Sequence, residues 1–531
     1  STGDATAATA AITSAINDGN GSPGSGDGTA AHGVTATDAL DGAGNINLSF
    51  AGSAIAGDVV AYVSGSGSSS SSGSSSSGSI TTPQNVGSEF QVNTYTTGDQ
   101  GNPVFFGPGS PDPVVATAAN GNYLVIWSSD GQDGSSKGIY GQLYAPDNSV
   151  IGAEILVNEV TSSQQTHPDA GFFSDGRFIV TWETNDTNNT GISAQLFSEN
   201  GTKIGSEISV NTTTYEAQRV PSLAVLSDDQ VIVTWSSYKQ SSSSSKYDVF
   251  GQVLSSSGEL QGSEFQININ SDGNECQSDT IQLSDGNILI AYHDAGSSNS
   301  VDAQIIAPSG NRIGSEINLV GANNPSRISI AALTGGGFAA AWQEYTTSSS
   351  VYEVFTQVFD NSGSFVSTAK LLSSSDVSAF PSIAASQDGS FTVSWNASGE
   401  NGTASNIYGQ SFTSAGDSKG TSFIINSTTA GDQEASDIEF AENGDLIAAW
   451  ISSGQDGDGN GIFAQRLSTG TSSSSGSSSG SSSTTTVSSS SSSSSSSGPT
   501  LDSPSNAMAA ITAVDTAIKT VNIQRSKLGA V

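Results

Sequence analysis

The chain has 531 residues, enough for several domains, and sets 14 basic against 50 acidic side chains, a formal charge of −36. That charge excludes nucleic acid and anionic membranes as partners, because both require a cationic face. Charged residues are only 12% of the chain, so the acid is dilute, and 6 Trp, 12 Tyr and 20 Phe exclude a wholly disordered polymer.

A single cysteine, Cys276, excludes an intrachain disulfide framework and a cysteine metal cluster. No run approaches ~18 consecutive apolar residues, so no membrane insertion is expected. Ser1 to Asp18 lacks the basic start and apolar centre of a secretory signal, and the chain begins at Ser, which predicts a processed chain or a fragment.

Residues 4–17, DATAATAAITSAIN, predict a helix with Asp4 as N-cap, Ala8, Ile12, Ala15 and Ile16 on one face, and Gly19 beyond its end. Residues 33–50, GVTATDALDGAGNINLSF, predict a β-hairpin. Ser64 to Ser79 is nearly all Ser and Gly and predicts a flexible tether, as does Ser472 to Gly498.

Between the tethers a repeat sets the fold. An apolar segment ends in an aromatic seven times, at Trp127, Trp182, Trp235, Tyr292, Trp342, Trp395 and Trp450, at intervals of 55, 53, 57, 50, 53 and 55 residues. Turns such as Ser174–Asp175–Gly176 and Gln387–Asp388–Gly389 precede it, the chemistry of hairpin connections. A second strand follows, centred on Gln142, Gln195, Gln252, Gln304, Gln357, Gln410 or Gln465, with alternating apolar and polar residues as in IYGQLY and IFAQRL. A third reads GSEFQVN from Gly87, with copies at Gly152, Gly205, Gly262 and Gly314 and degenerate ones at Ser367 and Gly420. A weaker fourth precedes each turn. Four short strands in each of seven units predict a seven-bladed β-propeller. The copy at Gly87 precedes the first aromatic strand and none follows Gln465. Gly87 to Asn93 is therefore expected to complete the last blade and close the ring.

One aromatic per blade at one strand position is expected to fill the space between blades. The repeated Gln is expected to satisfy backbone groups between blades. Glu89, Glu154, Glu207, Glu264 and Glu316 are expected to be solvated edge charges.

From Asn506 the chain reads NAMAAITAVDTAIKTVNIQRSKLGAV. Ile511, Val514, Ile518, Val521, Arg525 and Leu528 form a heptad seam, expected to pack lengthwise on other long helices. This run resembles the C-terminal helix of bacterial flagellin, at Ala510, Ile511, Asp515, Ala517, Ile518, Val521, Arg525, Leu528, Gly529 and Ala530, and the hairpin at 33–50 is similar to flagellin outer-domain text. The propeller resembles no flagellin core element. The long N-terminal half and the final C-terminal assembly segment that flagellins carry are absent from the chain.

The resemblance implies a mainly β fold: a seven-bladed propeller inserted by Ser/Gly-rich linkers into a flagellin-like α/β stem with a long C-terminal helix. The expected domains are 1–63, a flagellin-like helix and hairpin; 64–82, a linker; 83–468, the propeller; 469–500, a linker; and 501–531, the helix. The implied function is a structural subunit of an extracellular, homo-oligomeric flagellar filament for motility, displaying the propeller outside for subunit contact or adhesion. The alternative is a cell-surface adhesin or carbohydrate-binding propeller with no filament role, and surface glycans are expected partners under either reading.

Chemistry is sparse. His32, His167 and His293 fit no metal-ligand spacing, His167 is expected at the surface, and no Gly-x-Ser-x-Gly elbow, P-loop or dinucleotide fingerprint is present. The chain is therefore expected not to be an enzyme and to need no cofactor, although a propeller can bring distant carboxylates to one axial mouth. Asp456, Asp458 and Asn460 place three oxygen side chains at alternate positions, the first half of a calcium loop, with a looser copy at Asp130, Gln132 and Asp133. No bidentate Glu follows at calcium-loop distance, and a polar hairpin loop explains the same residues.

Overall fold

A computed structural model of the protein describes residues 83–469, apart from 102–111, 187, 242–245, 271–272, 297–298, 322–323, 348–349, 376–378 and 399–403. The predicted segments at 1–63, 64–82, 470–500 and 501–531, with the seam residues Ile511, Val514, Ile518, Val521, Arg525 and Leu528, lie outside the described residues.

The chain forms seven separate antiparallel sheets in sequence order, the blades of a propeller. Blade 2 shows the pattern: Gln165–Phe172 innermost, then Phe178–Asn185, Thr190–Phe197 and Lys203–Ser209 outermost. Blade 7 contributes Gln433–Phe440, Asp445–Ser453 and Asn460–Ser468, and its outer edge is supplied from the other end of the chain. Gln84–Asn85 and Phe90–Gln91 pair with that third strand, in the registers Gln84↔Ser468 and Phe90↔Ala464. The start of the ring thus covers an edge that would otherwise stand open.

The fold class is corrected: the described residues are all β, with no helix among them, and the expected α/β stem with its long C-terminal helix falls outside them. The physical reason lies in the repeat, whose apolar pattern has the two-residue period of strands throughout.

Tight turns join the two inner strands of each blade. In blade 2 the Phe173 amide donates to the Arg177 carbonyl and the Gly176 amide to the Phe173 carbonyl, while Asp175 Oδ1 accepts from the Arg177 amide. Gly176 sits at φ 88°, a region that glycine enters without strain.

The seven aromatics are buried between blades. Trp182 packs on Leu124, Ile126 and Ile139 of blade 1, Trp235 on Ile179 and Ile192 of blade 2, and Trp127 on Ala449 and Ile451 of blade 7, which closes the circuit.

Polar side chains set the registers, and two expectations change here. Gln142 Nε2 donates to the carbonyls of Leu143 and Ile151, and Gln195 Nε2 to those of Leu196 and Ile204. Both bonds stay within a blade, where the outer pairing shifts register between Gly141 and Leu143 or between Ile204 and Ile208. The Gln repairs a bulge within its own blade, whereas the sequence reading placed it between blades.

The Glu copies are likewise not free edge charges. Glu207 Oε2 accepts from the Glu159 and Val160 amides of blade 1, and its Oε1 from Ser193 Oγ. Glu264 takes the Thr212 amide, Glu316 the Ile269 amide, and Glu89 the Ser427 amide. A strand that ends beside the next blade leaves amides with no sheet partner, and the carboxylate of that blade supplies one. A conserved-looking Asn completes the joint: Asn158 Oδ1 accepts from the Ile139 amide while its Nδ2 faces Gln165 Oε1 of the next blade.

Replacing Trp182 by Ala is expected to cost about 3–5 kcal/mol in urea unfolding. Glu207→Ala is expected to cost about 0.5–1.5 kcal/mol, the net worth of the hydrogen bonds it loses at amides that water can reach. A solvated charge at that position would register within about 0.5 kcal/mol.

Candidate active site at the propeller axis

Six of the seven inner strands approach the axis through a residue of left-handed backbone, and in blades 2, 3, 4, 5 and 7 the pairing shifts register there. His167, Val220, Gln277, Arg327, Phe380 and Ala435 hold one repeat position in six blades, and all six have positive φ, between 38° and 55°. Such backbone costs about 1–2 kcal/mol per non-glycine residue, more where the side chain is β-branched as in Val220. Neighbours hold it in place. Glu183 Oε2 accepts from the Val220 amide, Ser236 Oγ from the Gln277 amide, and Gln343 Oε1 from the Ala379 amide.

Two residues after this position a side chain reaches the axis. The seven equivalent residues are Val114, Asp169, Ser222, Asp279, Ser329, Ser382 and Asp437, and all line one axial cavity of about 170 Å³. Pro113, Pro168, Pro221 and Pro381 precede four of them and form part of its wall. Gln277, Arg327 and Phe380 also line it.

The three carboxylates join inner strands that share no sheet. Asp169 Oδ2 accepts from the Leu223 amide at 2.7 Å, Asp279 Oδ2 from the Ile330 amide at 2.8 Å, and Asp437 Oδ2 from the Val115 amide at 2.8 Å. The last of these ties blade 7 to blade 1. Ser382 Oγ donates to Asp437 Oδ1 at 2.7 Å. Burial pushes Asp169 up to about 7 and Asp279 and Asp437 to about 6, against the opposing pull of these amides, and the charge of Asp437 adds to the rise of Asp169 and Asp279.

One cation stands at the cavity. The Arg327 guanidinium lies over the Phe380 ring, 4.0 Å from its centroid. Burial lowers its pKa to about 10, which leaves it charged at neutral pH. At the seam of blades 2 and 3, His167 Nδ1 lies 3.2 Å from Glu183 Oε2, and Arg219 Nε lies 3.8 Å from Glu183 Oε1. His167, expected at the surface, is thus largely buried against a carboxylate near the axis.

The arrangement offers carboxylate acceptors, serine hydroxyls and one guanidinium within proline walls. A carboxylate has more acceptor positions than its amide partners occupy. The set can therefore take hydroxyl donors from a ligand at Asp169, Asp279 or Asp437, and a ligand acceptor at Arg327.

Asp456, Asp458 and Asn460 sit together on the loop between the second and third strands of blade 7, and their partners are local. Asp456 Oδ2 accepts from Asn93 Nδ2, Asp458 Oδ2 from the Gly98 amide, and the Asn460 amide donates to Asp99 Oδ1. The loop clasps the strand that closes the ring. Asp133 Oδ1, in the looser copy, accepts from the Ser135 amide. Among the described residues no three His, Cys, Asp or Glu side chains are gathered to hold a metal on their own. His293 is half-buried with Nε2 facing Asn299 Oδ1, and burial pushes the Cys276 thiol up to about 12, an inert thiol.

Sequence reasoning missed the axial set because its residues lie in the weakest of the four repeated strands. PDAGFF, SDTIQL and SDIEFA share an Asp at one position, and that is the signal it could have used.

No known protein family and no curated protein matches the chain. Solved structures do. A protein of unknown function from Dyadobacter fermentans is 8% identical with a TM-score of 0.42, covering 72% of this chain and 100% of its own. An α-L-arabinofuranosidase from Fusarium graminearum is 14% identical with a TM-score of 0.41, covering 57% and 92%. A sialidase from Streptococcus pneumoniae is 9% identical with a TM-score of 0.39, covering 72% and 98%. The expectation that the chain is not an enzyme is withdrawn, since glycosidases stand among these neighbours. Bacterial flagellin finds no support in any of the comparisons.

Protonation of the axial carboxylates fixes a pH dependence. Asp169, Asp279 and Asp437 titrate near 6–7 when folded, above the ordinary 3.8, so the folded chain binds more protons than the unfolded chain between these values. Stability is therefore highest below about pH 4 for these groups and falls as pH rises through 6–7. Thermal melts are expected to give a higher Tm at pH 5 than at pH 8, and Asp169→Asn is expected to flatten that slope.

Proposed function

We propose that the propeller is a carbohydrate-recognition domain of the adhesin type that takes the end of a glycan chain at its axial cavity. The observation that carries this reading is the cavity lining: three carboxylates, five serines and one stacked guanidinium, contributed by different blades to one axial space. Carboxylates and hydroxyls pair with the vicinal hydroxyls of a sugar, and proline rings offer flat apolar faces. The space of about 170 Å³ admits a terminal unit and excludes the body of a polymer. The charge of −36 favours neutral or hydroxyl-rich ligands over polyanions. An extracellular location accords with this reading, and displayed surface glycans are the partners it names.

A second reading, glycoside hydrolysis, is favoured by one specific observation. Asp169, Asp279 and Asp437 line one cavity and burial raises all three, so a carboxyl that keeps its proton can stand in the same cavity as one that has lost it. A protonated and an ionised carboxyl are the pair that such chemistry uses.

The full chain is expected to bind neutral glycans on an array, and Asp279→Asn and Arg327→Ala are each expected to weaken binding ~10-fold or more, the loss of one charge-assisted hydrogen bond. Retained binding in both variants would remove the axial cavity from the reading. Release of reducing sugar by the wild-type chain, lost in Asp169→Asn, would select hydrolysis over binding alone.

A further inference from the structure

Blade 4 departs from its six counterparts at four places, and all four departures meet in one cavity. Where the others carry Trp it has Tyr292. Across from that aromatic, where the others carry Tyr140, Ser193, Phe250, Phe355, Tyr408 and Phe463, it has Asp302. The first inner-strand residue and its cross-strand partner are Gln165↔Thr184, Gln218↔Ser237 and Gln433↔Ser452 in blades 2, 3 and 7. In blade 4 the pair is Glu275↔Asp294. Blade 5 has one acid at this place, Glu344, opposite Pro325 and satisfied by Trp342 Nε1 at 2.9 Å.

Like charges directly opposite each other in a sheet are destabilising, and here the pair is buried. Glu275 is only 2% exposed, and its Oε1 has no hydrogen-bond partner. That oxygen and Asp294 Oδ1 crowd the same point above Gly273, where a β-carbon would strike both. The cavity beside them, about 220 Å³, is also lined by Tyr292, Ser300, Asp302 and Glu316, and no Lys or Arg lines it. Asp302 accepts from Ser300 Oγ at 2.8 Å and from Asn318 Nδ2 at 2.7 Å, and the Tyr292 hydroxyl donates to Glu316 Oε1. The flanking acids are thus held in place, and the central pair is left without a counter-charge.

We infer that this cavity is a calcium site, in which Glu275 and Asp294 bind the ion directly and Asp302 and Glu316 hold its waters. All the available ligands are oxygens, the donors a hard cation takes. A site with two direct carboxylates and a water-filled remainder suits Ca²⁺, which tolerates irregular shells, over Mg²⁺, which demands an octahedral one. Its affinity belongs to the weak class of ~10⁻⁴–10⁻³ M typical of extracellular modules. The site is separate from the axial cavity and from the Asp456 loop.

The full chain, stripped with EDTA, is expected to show a Tm several degrees higher in millimolar CaCl2 than in NaCl of equal ionic strength, as ligand binding to the folded state requires. Glu275→Gln with Asp294→Ser installs the neutral pair of blade 3. It is expected to abolish the calcium response while melting in EDTA no lower than wild type. Asp456→Asn with Asp458→Asn is expected to keep the response. Absence of the rise in wild type, its persistence in the blade 4 variant, or its loss in the Asp456 variant would each overturn the assignment. Should the blade 4 variant fail to fold, Tb³⁺ luminescence excited through tyrosine serves instead. The emission is expected to be quenched by CaCl2 and lost in Tyr292→Phe, and unchanged emission in that variant would equally overturn the assignment.

Discussion

Among the described residues the seven sheets stand side by side with no shared ladder, and backbone bonds join blades only where the ring closes at blade 7, through the strands at 84–91 and the Gln100 amide on the Asn460 carbonyl. At the other seams the blades are joined through side chains. The apolar part is an aromatic wedge per blade, which supplies most of the buried area but little direction. Direction comes from carboxylates and amides that reach across the seams. Near the rim Glu207 takes the amides of Glu159 and Val160, and at the axis Asp169 takes the amide of Leu223. A wedge alone would let neighbouring blades slide, and a buried amide without its acceptor would cost more than the hydrogen bond supplies. The two kinds of contact are therefore mutually dependent.

The same division explains why strain gathers at the axis. Seven inner strands converge on a narrow channel, and a regular strand would turn alternate side chains away from it. Left-handed backbone at His167, Val220, Gln277, Arg327, Phe380 and Ala435 re-aims the residue two places on, and its strain is the cost of that re-aiming. Six blades bear it at one position. A packing defect would scatter, so the strain belongs to the design of the channel: it sets Asp169, Asp279 and Asp437 into one buried space, where burial raises all three.

The architecture was legible because it rests on what repeats. The aromatic ending each second strand has one packing role in every blade, so its recurrence carried strand number, blade number and closure by Gly87 to Asn93. Polar roles were less legible, because a side chain's partner does not show in its own spacing. Gln142 and Glu207 recur just as regularly, yet one bonds within its blade and the other across a seam, the reverse of what their positions suggested. The Asn that ends five of the seven GSEFQVN copies went unremarked although it stitches both directions, at Asn158 and Asn211. The axial carboxylates were hidden for another reason: the bulge before them breaks the two-residue alternation on which strand reading depends, so Asp169, Asp279 and Asp437 fell in the segments with the weakest pattern.

A closed ring of equivalent units also carries its own control. Each position is sampled seven times in nearly the same surroundings, so a residue that departs from its counterparts is tested against what the backbone there tolerates. Most departures are isolated, as with Ser193 among aromatic neighbours or Glu344 beside its satisfied indole. Blade 4 differs in kind, because Tyr292, Glu275, Asp294 and Asp302 all depart and all face one space. Three of the four changes add a carboxylate, and the fourth substitutes a smaller ring whose hydroxyl engages a carboxylate already present. Independent drift would have no reason to bring acids together where their repulsion destabilises the sheet. A positive charge arriving from solution gives it one, and the repulsion that weakens the empty blade becomes the attraction that fills it.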